Sequence, residues 1–349
     1  MFSKYTKFIL LLFPAAIIIG GCGRKDDTVA NKEYNWPAMG TYASLTISME
    51  NSDTAFLIAK KAVDEVNDEL SVFVPESSIS LLNKSAGGGS YIRLGKDAVE
   101  VLLSPAHYYK MSDGAFNPAV GPLVEAWGFF RGGSAGKFPP AEGVIVETLP
   151  LCDFGKVELL DDGSARLAKS GMCLDFGAIA KGYAVDVVHE RLKEAGFSNF
   201  LINIGGNMRS DGVRHGGGMW RVAVRDPLRE IDDNPLGILL LNDEIAVATS
   251  GDYEQYFEHD GKRFSHIIDP RTGYPAEGVS QVTVVARTAM DADALSTACF
   301  VLGTDESFKL LENNSDSGAL FVSVDINSVT EIKISERFQE LFVSELEEE

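Results

Sequence analysis

The sequence predicts an α+β fold: one interdigitated catalytic domain with mixed sheets and packed helices. Three observations lead there. Short apolar or alternating runs recur along the chain, amphipathic segments fall between them, and the two kinds interleave without the regular βαβ rhythm of a doubly wound sheet. "TYASLTISM" (41–49) alternates like a half-buried strand. "DTAFLIAKKAVDEVNDEL" (53–70) puts Ala55, Ala59, Ala62, Val63, Val66 and Leu70 on one helical face, with Asp53 placed to cap it. A second helix is expected from Asp97 to Met111, stopping at "SDG", and dense glycine and proline between Gly132 and Pro150 predict a surface loop. Strand signals follow at "KVELL", "NFLINI", "WRVAVRD", "GILLLN" and "VSQVTVVA". Helices are expected at about Gly177 to Ala195, Asp291 to Leu302 and Glu306 to Asn313.

The N-terminus reads as a targeting segment. Lys4 and Lys7 precede the apolar run "FILLLFPAAIII", which is too short to span a bilayer comfortably, and Gly20 and Gly21 stand directly before Cys22. This resembles a bacterial lipobox, which implies cleavage before Cys22 and a diacylglyceryl thioether on its sulfur. An ordinary secretory signal or a short anchor helix is the alternative. The expected organisation is a signal peptide over 1–21, a lipidated Cys22 with a polar tether to 34, one domain over 35–343 and an acidic tail over 344–349. Cleavage would remove two lysines, taking the formal net charge from −20 to −22. Such a surface repels nucleic acid and anionic headgroups, so attachment to a membrane would come from the lipid. Cys152, Cys173 and Cys299 have no metal-like spacing; outside the cytoplasm a Cys152–Cys173 bridge and three buried thiols are both open readings.

Four constellations could carry chemistry. In "CLDFGAIAKGYAVDVV" (173–188), Asp175 ends a strand-like stretch and Lys181 falls in the first turns of a helix, where unpaired N–H groups attract anions. A solvated lysine beside a glycine turn is the plainer reading. "NIGGN" (203–207) permits a close backbone approach to a ligand, or only a bend. "FSHIIDPRTGYP" places His266, Asp269 and Arg271 on a turn-rich loop; Asp269 and Arg271 could simply pair, and His266 could be a general base or a satisfied core histidine. Finally, "MDADALSTACF" (290–300) is mostly apolar yet carries Asp293 and Thr297 one helical turn apart. Two hard oxygens at that spacing suit Mg²⁺ and not zinc; the alternative is a threonine bonded back to its own helix and an aspartate favoured by the helix dipole.

Together "MGT" (39–41), "GAFNPAVGPLVEAWGF" (114–129), "DFGAIAKGYAVD" (175–186), "NIGGN", "ATSGDYE" (248–254), "HIIDPRTGYP" (266–275) and "DADALST" (291–297) resemble the ApbE-type FAD:protein FMN transferases, in the family's order. The resemblance implies that Asp293, Thr297 and the Ala178 carbonyl hold Mg²⁺, with a loop expected around Ala178 so that its oxygen is free. It implies that Met39, Phe73, Ala115, Phe116, Asn117, Asp175, Lys181, His266 and Ile267 hold FAD. Phe73 stands where the family often has tyrosine, and Asn117 where it often has aspartate. The implied reaction is attack of a Thr or Ser hydroxyl of an acceptor protein on the FMN-side phosphorus, releasing AMP. A base near the incoming hydroxyl would help, and His266 is the candidate; Lys181 and Asp293 are the other residues expected to act in catalysis. Implied acceptors are flavoprotein subunits of sodium-pumping quinone reductases and Rnf-type complexes, met by a lipoprotein facing the periplasm or the outer side of the cytoplasmic membrane. Two rival readings keep the same motifs: a Mg²⁺-dependent FAD pyrophosphatase, and a non-catalytic FAD-binding lipoprotein.

Overall fold

The computed structural model describes residues 31–48, 51–130, 138–228, 235–243, 245–324 and 330–344. The signal-like segment, Cys22 and most of the tether and acidic tail lie outside them. Eight strands form the main sheet: β1 (Lys32–Ala38), β2 (Thr41–Ile47), β3 (Phe200–Ile204), β4 (Asn207–Asp211), β5 (Ala246–Gly251), β6 (Gln281–Ala286), β7 (Gly318–Val324) and β8 (Thr330–Ile334). Spatial order equals this chain order, and every neighbour pair is antiparallel. The sheet is therefore one long meander whose connections carry large insertions. Residues 32–34, assigned to the tether from sequence, already belong to β1.

Period-two alternation explains the layers. On β3, Phe200, Ile202 and Ile204 face one core while Leu201 faces another; on β6, Val282 and Val284 face the first and Val285 the second. Helices α1 (Ser52–Leu70), α2 (Ala180–Glu194) and α3 (Ala289–Leu302) pack together against the first face. A three-stranded antiparallel sheet (Trp220–Val224, Gly237–Leu241, Phe342–Ser344) covers the second, through Trp220, Leu239 and Phe342. A third cluster around Leu123, Trp127, Phe129 and Ile268 ties the hairpin Tyr256–His259/Lys262–Ser265 to the 121–151 region.

Several boundaries differ from the expectation. Asn51, in the left-handed conformation, occupies the N-cap of α1, and Asp53 sits in the first turn instead, paired with Lys32 at 2.6 Å. The helix expected from Asp97 to Met111 is broken into Lys96–Leu103 and Pro105–Met111, because Pro105 has no N–H to continue the ladder. The loop expected over 132–150 contains a helix, Glu142–Thr148, followed by a 3₁₀ turn, Leu149–Leu151. Ile145 buries against the third cluster, so tertiary packing overrides the glycine and proline nearby. Helix α2 begins at Ala180 and not at Gly177. Cys152, Cys173 and Cys299 are free thiols, and burial pushes them up to about 11, 12 and 12, which leaves them inert at neutral pH.

Candidate active site

Two hairpin tips lie side by side at one end of the main sheet. Met39 and Gly40 join β1 to β2 with φ of 48° and 75°; Gly205 and Gly206 join β3 to β4 with φ of 57° and 90°. Both are two-residue turns with positive φ at each position, the geometry whose twist matches that of the strands. Gly205 donates to the Tyr42 carbonyl at 3.0 Å, and a Cβ on it would strike Thr41. These tips form one wall of a cavity of about 950 Å³. Much of the rest of its lining comes from segments 71–73, 115–118, 175–178 and 222–226, from Ala180 and Lys181, the turn 253–255, the loop 266–268, strand β5 and the cavity-facing side of α3. All twelve residues singled out from sequence for cofactor, metal or catalysis line it: Met39, Phe73, Ala115, Phe116, Asn117, Asp175, Ala178, Lys181, His266, Ile267, Asp293 and Thr297.

The heart of the site is where α2 and α3 cross. Thr288 caps α3 by accepting from the Asp291 amide at 3.0 Å. Asp186, on α2, accepts from the Ala289 and Met290 amides at 3.0 and 2.8 Å, and Arg209 of β4 holds that carboxylate at 2.7 Å. These bonds satisfy N-terminal amides of α3 and fix it against α2. One turn later, Asp293 accepts from the Gly182 amide at 2.9 Å through Oδ2, and its Oδ1 stands 3.4 Å from the Lys181 ammonium. Gly182 makes that approach possible: a Cβ there would lie 2.1 Å from the Ala289 oxygen. Because Gly182 donates to Asp293, it does not take the Ala178 carbonyl, its partner in a continuing helix. Residues 177–179 form a turn ahead of α2.

Burial raises the Asp293 carboxyl above the usual carboxylate range, with Lys181 and the Gly182 amide opposing. A buried acid short of positive charge, a half-buried threonine hydroxyl one turn on and a freed carbonyl form a hard-oxygen donor set that fits a divalent cation. Among the described residues no group of three or more His, Cys, Asp or Glu side chains converges. Thr297 does not bond back to its helix: Ser296 takes the Asp293 carbonyl at 2.9 Å instead.

The other residues divide by what they touch. Phe73 is 59% exposed at the cavity mouth, its ring 6.0 Å from Phe130. Asn117 accepts from the Ala119 amide at 2.8 Å and donates to the Cys152 carbonyl at 2.8 Å, a bond an aspartate could not make. Asp175 accepts from the Gly177 amide at 2.8 Å, and burial raises its carboxyl. The Nδ1 of His266 lies 3.2 Å from the Gln255 carbonyl, which only accepts. That places the proton on Nδ1 and leaves Nε2 as the acceptor. Burial against the cavity wall lowers this imidazole to about 4, so it is neutral at pH 7. Asp269 and Arg271 pair bidentately at 2.9 and 2.8 Å and stiffen the turn; they do not line the cavity.

Sequence reasoning assigned no role to Arg225, Tyr253, Glu254 or Ser250, which also line it. Three of the four lie in or beside the quoted "ATSGDYE", the available signal. The Arg225 guanidinium stacks 4.7 Å over the Tyr253 ring, and the Tyr253 hydroxyl donates to Gln281 at 2.8 Å. Burial raises Glu254 to about 7, aided by Asp293 and opposed by Lys181 and Arg225.

Residues 39–321 match the model of the ApbE family. The chain belongs to the ApbE family. A FAD:protein FMN transferase of Haemophilus influenzae is 34% identical over 281 residues, covering 79% of this chain and 80% of that one. The flavin transferase ApbE of Vibrio cholerae superposes with a TM-score of 0.79 at 27% identity, over 89% of this chain and 99% of its own. The ApbE protein of Thermotoga maritima gives 0.80 at 31% identity, over 90% and 100%. The α+β architecture is thus an ApbE architecture.

Proposed function

We propose that this ApbE-family transferase moves the FMN half of FAD onto a Thr or Ser hydroxyl of an acceptor protein, with Mg²⁺ as cofactor and AMP as the leaving product. The observation that carries the reading is Asp293: a buried carboxyl that lines the cavity together with Thr297 and Ala178 and stands 3.4 Å from the Lys181 ammonium. Asp293, Thr297 and the Ala178 carbonyl would hold the cation. When bound, it would neutralise charge on the phosphate oxygens that link the two halves of FAD. Lys181 adds a full positive charge beside the same oxygens. The hairpin tips and Ala115–Asn117 shape the wall against which the flavin half rests, and Phe73 offers it an aromatic face at the mouth. Nε2 of His266, unprotonated at pH 7, is available to take the hydroxyl proton as the new P–O bond forms and the bond to AMP breaks. Negative charge gathering beside this imidazole raises its basicity.

Acceptors of the expected kind are subunits of membrane redox complexes, and lipidation at Cys22 would hold the enzyme at the surface where they sit. Incubation with FAD, Mg²⁺ and a co-expressed acceptor fragment tests the reading. Intact-mass measurement should show one FMN phosphoester on the fragment and an equal amount of AMP. AMP release at the same rate without any acceptor, and no labelled fragment, would replace transfer by hydrolysis.

A further inference from the structure

We infer that Ser250 is a positioning residue for the cation site, acting by fixing which way the Thr297 hydroxyl points; this rests on the reading that Asp293 and Thr297 bind a divalent cation. A hydroxyl that ligates a metal must present a lone pair, so its single proton needs another acceptor. The proton assignments follow from three contacts. Ser296 Oγ lies 2.9 Å from the Asp293 carbonyl, which can only accept, so the Ser296 proton is spent there. Ser250 Oγ lies 2.8 Å from Ser296 Oγ, and with that proton spent Ser250 must be the donor. The remaining lone pairs of Ser250 face Thr297 Oγ1 at 3.5 Å, so that contact has Thr297 donating. The usual alternative acceptor for a helical threonine, the carbonyl four residues back, is the one Ser296 already occupies. The Thr297 proton is thereby turned toward β5 and its lone pairs toward the cavity.

The device is rigid at its base. Ser250 is buried on β5, paired opposite Val282 in the middle of the sheet, and it lines the cavity with Asp293 and Thr297. Strand β5 thus reads out on α3 through two hydroxyls, and the direction of the chain Thr297→Ser250→Ser296→Asp293 carbonyl is set by its carbonyl end.

Calorimetric titration of the full-length protein with Mg²⁺ alone tests this, using wild type, Ser250→Ala, Thr297→Ala and the double variant. Removing a partner that orients a ligand weakens metal binding about tenfold or more, so Ser250→Ala should raise Kd by that factor while the thermal midpoint moves little. In the Thr297→Ala background the same change should have almost no further effect, because its only route to the metal is gone. Should Ser250→Ala lose its cooperative transition, Ser250→Cys keeps the volume with a poorer acceptor, and the same non-additive loss is expected. Unchanged Mg²⁺ affinity in the Ser250 variant, or losses that simply add, would overturn the inference while leaving the cation site standing. Absence of binding to wild type, or full binding by Asp293→Ala, would overturn both.

Discussion

Asp293 is a carboxylate that folding has taken out of water with incomplete compensation: one amide at 2.9 Å and an ammonium at 3.4 Å. Such a group is costly without a cation, so its presence on a buried helix face is the mark of a site. Asp293→Ala should abolish FMN transfer, read as loss of the mass shift on an acceptor fragment, while the thermal midpoint stays within a few degrees. The raised carboxyl also sets the sign of a pH effect. The folded group keeps its proton to a higher pH than the free side chain, and protons compete with the metal. Mg²⁺ affinity should therefore fall as pH drops, beginning above the ordinary aspartate range near 3.8, with proton uptake seen on metal release. His266 behaves oppositely, being neutral well below 6.5. At this scale the sequence was informative because oxygen ligands, glycine pairs and a histidine are chemical identities. What it could not show was Ser250 or Glu254, whose roles depend on which atoms happen to face each other.

At the scale of elements, the crossing of α2 over α3 depends on the missing side chain of Gly182. Gly182→Ala would drive a methyl to 2.1 Å from the Ala289 oxygen and 2.8 Å from the Asp293 Cβ, and must part the helices. Overpacking of this kind costs about 1–3 kcal/mol or more; a lower unfolding midpoint and loss of transfer together are the expected result. Helix α2 also carries His189, buried, with Arg209 and Lys193 nearby and its imidazole lowered to about 4, mainly by burial. Between pH 6.5 and about 4 the unfolded chain takes up a proton that the folded state refuses, so stability falls as pH drops through that window. Denaturant titrations at pH 7 and 5 should show this slope, and His189→Gln should flatten it by on the order of 2 kcal/mol. Glu254, raised to about 7, tilts the other way between 4.5 and 7 by a comparable amount, while His266, also lowered to about 4, adds to the His189 slope, so a net fall remains. Helix α1 and strands β2, β3 and β6 were legible because period and burial agree. Pro105, the helix at Glu142–Thr148 and the Asn51 cap were not, since each is decided by a local break or a distant packing partner.

On the scale of the whole molecule, β2, β3 and β6 could be read off the sequence, but β1, β4, β5, β7 and β8, and the union of all eight into a single meander, could not. Long insertions separate consecutive strands, so nothing local reports that β4, β5 and β6 are neighbours. The division of "WRVAVRD" and "GILLLN" into a second sheet was equally hidden, because both faces of β6 are apolar and either would accept a partner. Cys22→Ser should release the protein from the membrane fraction into the soluble one, as followed by immunoblot after fractionation, without altering transfer to a soluble acceptor fragment. Strand β1 would give the proposed anchor a range. It begins at Lys32 and delivers the chain directly to Met39 on the cavity lip. From Cys22 to that lip the backbone can extend at most roughly 60 Å, ten tether steps and one strand at about 3.3–3.6 Å per residue. With Cys22 lipidated as we propose, the enzyme would be a leashed tool: only hydroxyls within that height of the bilayer would come under its working tip, however abundant others are beyond it.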